Sequence, residues 1–113
     1  MVALNKDAIL SAADSKVEAV DVPEWGGSVY IRTFNAIERD KLSAQLSGAG
    51  GKDLMHALIA RFGICDEKGV PLFVDADVLK LGAKSAIALT RVVERIVALN
   101  KMRPEDVEQA AKN

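Results

Sequence analysis

The chain predicts a small α+β domain, mainly α-helical, with one β-hairpin near its N-terminus. Three observations carry this. Apolar residues recur at helical spacing behind good N-cap residues along most of the sequence. Only the stretch Val20-Asp-Val-Pro-Glu-Trp-Gly-Gly-Ser-Val-Tyr-Ile-Arg-Thr33 alternates apolar residues around a Pro/Gly turn, the pattern of a hairpin. The length, 113 residues, suits one domain and is too short for two, so residues 1–113 read as a single unit of about five helices.

The elements follow in order. Asn5 caps a short helix to about Ala13, with Asp7 in its first turn. Lys16–Val22 and Val29 to about Phe34 are the two strands. Pairing Val22 with Val29 and Val20 with Ile31 places all four on one face, which a one-residue slip would split. A two-stranded ribbon is marginal alone in water, so it must rest on helices or on another subunit. Asn35 and Glu38 form a capping-box pattern that starts a helix running to Gly48. Gly48-Ala-Gly-Gly51 reads as a flexible break. A helix then runs from Asp53 to Phe62 or Cys65, followed by a turn at Asp66–Gly69 and an extended Pro71–Phe73. Asp75 is expected to cap a short helix ending at Gly82. Ser85 caps the longest helix, to about Asn100, whose stripe is Leu89, Val92, Val93, Ile96 and Leu99, with Arg91, Glu94 and Arg95 facing water. Pro104 suits the first position of a last polar helix.

Composition narrows the function classes. Lys plus Arg number 15 against 16 Asp plus Glu, which removes the usual argument for nonspecific nucleic-acid binding. The single cysteine makes no internal disulfide, which favours a reducing compartment. No apolar run reaches the roughly 18 residues of a membrane span, and the charged start, Met1-Val-Ala-Leu-Asn-Lys-Asp7, is unlike a signal peptide. The expected compartment is the cytoplasm.

Motifs for chemistry fail one by one. Gly50-Gly-Lys-Asp53 invites a phosphate-loop reading, but Leu46 stands where the first glycine belongs and Asp53 where Ser or Thr belongs. A plain interhelical linker explains it. His56 is the only histidine and has no second ligand at metal-binding spacing. Cys65 follows an apolar helix without a basic neighbour to activate it, so it reads as a buried, inert thiol. Asp75 and Asp77 begin like a calcium loop, but Leu79 and Lys80 break the pattern. Lys80, Lys84, Arg91, Arg95, Lys101 and Arg103 are interrupted by acidic neighbours. No pair of residues points to acid–base or nucleophilic catalysis. The reading is therefore of no catalytic residue, no cofactor and no metal.

Trp25, the only tryptophan, sits at the hairpin tip, and Tyr30, the only tyrosine, lies in the second strand. Both are candidate partner-binding residues. Trp25 has two readings: a cap folded back over the core, or a projecting anchor for a partner, a role in which Trp is over-represented.

The order of these pieces carries a resemblance. Asp21-Val-Pro-Glu-Trp-Gly-Gly-Ser-Val-Tyr-Ile-Arg32 precedes a capped helix with Glu38-Arg39-Asp40. Cys65-Asp-Glu-Lys-Gly-Val-Pro-Leu-Phe73 and Asp75-Ala-Asp77 follow, then a long helix ending at Leu99-Asn100, then Pro104-Glu-Asp-Val-Glu108. Over nearly its whole length the chain resembles the tail assembly chaperones of long-tailed bacteriophages, the lambdoid and prophage type encoded just before the tape measure protein. The resemblance implies a nonenzymatic protein of the host bacterial cytoplasm, absent from the finished virion. It implies binding to the tape measure protein and recruitment of tail tube protein. Self-association is expected from the marginal hairpin and the apolar helical faces, and the balanced charge and short apolar runs point to neither nucleic acid nor membrane as partner. The resemblance also implies a longer form made by programmed ribosomal frameshifting, through which the tail tube protein is mainly engaged. Ala111-Lys-Asn113 fits a slippery A-AAA-AAC heptamer read as GCA-AAA-AAC. The alternative is a small helical oligomeric adaptor or a DNA-associated phage regulator.

Overall fold

The hairpin, five helices and a short third strand make an α+β domain in the computed structural model, which describes residues 2–103. The helix expected from Pro104 and the Ala111-Lys-Asn113 tail lie outside the described residues. In order, the elements are α1 (Lys6–Ser11), β1 (Val17–Val22), β2 (Gly27–Arg32), α2 (Ala36–Ser47), α3 (Met55–Gly63), β3 (Ile64–Cys65), α4 (Val78–Gly82) and α5 (Ala86–Leu99).

The hairpin forms where expected, but its register differs by two residues. Val20 pairs with Val29 and Val22 with Gly27. The tip is tighter than the sequence implied. Pro23–Trp25 makes a 3₁₀ turn, and Gly26 takes the left-handed conformation at φ 74°, so the chain has already reversed at Gly27. A shift of two preserves the face of every side chain. Val20, Val22 and Ile31 are therefore still buried, and the ribbon packs on α5.

The sheet has three strands, in the order β1-β2-β3. The helix expected to end at Phe62 or Cys65 ends at Gly63, one residue past the first of these. Ile64 and Cys65 then turn extended and pair antiparallel with Ile31 and Tyr30. Cys65 also bridges to Pro71, across a turn in which the Asp66 carboxylate accepts the N–H groups of Lys68 and Val70 at 2.8 and 3.0 Å. Ribbon support thus comes from within the chain, through β3 and the helices.

The α2 capping box is complete: Glu38 N–H donates to Asn35 Oδ1 at 2.8 Å, and Asn35 N–H donates to Glu38 Oε1 at 2.9 Å. At α4 the expectation is corrected. Asp75 does not cap; it pairs with Arg61 at 2.8 Å, while the Asp77 carboxylate accepts the Val74 N–H at 2.9 Å ahead of a 3₁₀ turn leading into the helix.

The core lies between sheet and helices. From α3 it takes Ala57, Leu58, Ile59, Ala60 and Phe62, and from α5 Ala88, Leu89, Val92, Val93 and Ile96. Close approach of α3 and α5 depends on Gly63, where a Cβ would stand 2.5 Å from Ile96 Cδ1. Asn100 fastens the end of α5 to the sheet. Its Oδ1 accepts the Phe34 N–H at 2.7 Å, and its Nδ2 donates to the carbonyls of Arg32 and Ile96. α1 is the exception to this packing, since none of its residues is buried. Among the described residues no helix is long and apolar enough to cross a membrane.

Candidate functional site

The hairpin tip is pinned rather than free. The Glu24 carboxylate accepts a hydrogen bond from Arg91 on α5, which fixes the turn against that helix. That bond, joined by one from its own backbone, holds the Glu24 carboxyl below its ordinary value, and reciprocally raises Arg91. Arg91 and Arg95 face water as expected, 38% and 56% exposed, and each also answers a carboxylate of the hairpin, the second at 3.7 Å from Glu18.

Trp25 is half-buried against the core. Its indole Nε1 is closed off from solvent and has no acceptor. Among the described residues it is the one buried side-chain polar atom in that position. The ring walls a cleft of about 290 Å³, completed by Phe73, Leu81, Asp77, Lys80 and Lys84. Floor and walls are apolar, and the rim carries two cations and one carboxylate. Tyr30 takes no part in it. Tyr30 is 41% exposed and pairs with Ala19 on one side and Cys65 on the other, on the face of the sheet opposite Val20 and Ile31. The two aromatic candidates are therefore not brought together.

One residue escaped the sequence reading. Arg32 is buried, with Nε donating to the Phe62 carbonyl at 3.0 Å and Nη2 to Glu38. It ties β2 to α2 and α3. Burial alone would raise the Glu38 carboxyl, but hydrogen bonds from Arg32 and from the Asn35 N–H outweigh it and hold it below its ordinary value. The available signal was Glu38 itself: a capping-box carboxylate six residues after a strand-end arginine. Both groups are engaged structurally, although they line a polar depression with Lys16 and Lys68.

The other motif residues resolve into packing. Gly51 of the glycine-rich stretch is buried, and a Cβ there would stand 2.1 Å from the Leu46 carbonyl oxygen. His56 is exposed. Cys65 is buried, and burial pushes its thiol up against a smaller opposing pull from Arg32. Among the described residues no group of three or more His, Cys, Asp or Glu is placed to hold a metal ion.

Large apolar side chains also remain in water. Val2, Leu4, Ile9 and Leu10 are 57–85% exposed along the N-terminal arm, and Leu79 and Ile87 are exposed where α4 and α5 begin. No family model, curated protein or solved structure matches the chain.

Proposed function

We propose that this chain is a nonenzymatic assembly chaperone whose copies coat an apolar helical client. The resemblance to phage tail assembly chaperones names that client as the tape measure protein. On this reading the chain acts in the host cytoplasm and leaves before the particle is complete, and a longer form recruits tail tube subunits. One observation carries the reading: an N-terminal arm with four large apolar side chains in water and a helix that buries nothing. A six-residue helix is not stable by itself in water, and apolar surface held open on a small domain is characteristic of an interaction site. Many weak contacts from repeated copies protect a long client through multivalency.

The test is co-expression with the long helical product of the adjacent reading frame. The client should remain in the soluble fraction and copurify with this chain. Equal insolubility of the client with and without the chain would overturn the reading. Salt-sensitive DNA binding by the purified chain would replace it with the regulator alternative.

A further inference from the structure

We infer that the arm Val2–Ser11 of one copy seats in the Trp25–Phe73–Leu81 cleft of the next, making a head-to-tail contact between copies. This rests on the self-association in the reading above: Ile9 and Leu10 go to the neighbouring copy, and Val2, Leu4, Leu79 and Ile87 stay open to the client. Arm and cleft are two of the unsatisfied apolar features of the fold, and they match. The arm offers Ile9 and Leu10, 57% and 74% exposed, on a helix with no buried residue. The cleft offers an apolar floor, and no residue of its own copy's arm lines it.

The charges match as well. On a helix the residues three and four positions before Leu10 share its face. These are Asp7 and Lys6. A Leu10 side chain entering the cleft brings Asp7 to the rim that holds Lys80 and Lys84, and Lys6 to the same rim's Asp77. Trp25 can adjust to it. Its Nε1 has no acceptor, so turning the indole toward an incoming side chain breaks no hydrogen bond. An arm of one copy in the cleft of the next, passed from copy to copy, is a heterologous contact, which closes into a ring or runs on as a filament.

The experiment compares the full chain with Leu10→Asp, Asp7→Lys, Lys84→Glu and the double variant Asp7→Lys/Lys84→Glu. Sedimentation velocity gives the mass, and the emission of the only tryptophan reports the cleft. The wild-type chain should exceed 12.1 kDa and shift its Trp25 emission as it dissociates on dilution. Leu10→Asp should weaken association by roughly tenfold or more, from loss of one leucine's apolar burial, while its thermal unfolding stays that of a folded domain. Each single charge reversal should weaken association, and the double variant should recover it. Leu10→Asp that assembles like wild type, or Trp25 emission that ignores assembly, would overturn this contact while leaving client protection to stand on its own assay. A wild-type chain that stays monomeric at every concentration would overturn it too.

Discussion

Arg32→Met is the sharpest probe of how the domain is held together. Methionine keeps the aliphatic stem and removes the guanidinium. Two partners are then stranded. The Phe62 carbonyl loses its donor, at a cost of about 1–3 kcal/mol for a buried group. Glu38 loses its cation. Breaking one side of a buried pair costs about 3–5 kcal/mol. The Glu38 side chain is 19% exposed and keeps the Asn35 N–H, so its share falls below that range. Together these give a loss of about 3–4 kcal/mol, or a Tm lower by roughly 12–16 °C. The pH dependence gives a second check. Glu38 is depressed in the folded state, so its stabilisation is present above its unfolded value and lost as pH falls through the folded one. In Arg32→Met the main lowering contact is gone and burial dominates. The stability gap between wild type and variant should therefore narrow on acidification. Urea unfolding at neutral and acid pH measures it. A variant whose Tm falls by less than about 2 °C, or a gap that stays constant with pH, would refute the role assigned to this pair.

Ile96→Asp places a carboxylate at a fully buried position with no partner, and should abolish cooperative folding, read by circular dichroism. Gly63→Ala pushes a methyl into Ile96 and should cost about 1–3 kcal/mol by denaturant unfolding, with Ile96→Val in the same chain recovering part of it. Trp25→Phe deletes an N–H that has no acceptor while keeping an aromatic ring, so its Tm should lie well above that of Trp25→Ala. Equal melting of the two would show that the ring contributes little packing.

Much of this fold was legible because its signals are local. The Asn35/Glu38 box and Ser85 are self-contained caps, and the stripe of α5 is a run of regular spacing. What was missed depends on partners distant in sequence. Ile64 and Cys65 continue an apolar helical run and become a strand only because Tyr30 and Ile31 offer an open edge. Arg32 reads as an ordinary strand-end cation until Phe62, thirty residues on, presents its carbonyl. The hairpin register slipped because loop length depends on Gly26 reaching φ 74°, whereas the face of each valine, set by parity, did not change. Trp25 and Tyr30 stood out as rare residue types, but rarity says nothing of which side of a sheet each occupies.

The glycine-rich turn between α2 and α3 has a consequence for which sequences the fold admits. By composition it reads as a tolerant spacer, the kind of place where substitutions accumulate. Gly48 and Gly51 nevertheless differ sharply. A methyl at position 48 would sit 3.4 Å from the nearest carbonyls, an ordinary contact, whereas at position 51 it would overlap the Leu46 carbonyl oxygen. That oxygen belongs to backbone, which cannot swing aside as a side chain can. Saturation mutagenesis of the turn should return many residues at 48 and glycine alone at 51. Position 51 would then behave as an invariant core position inside a segment that looks like a disposable connector.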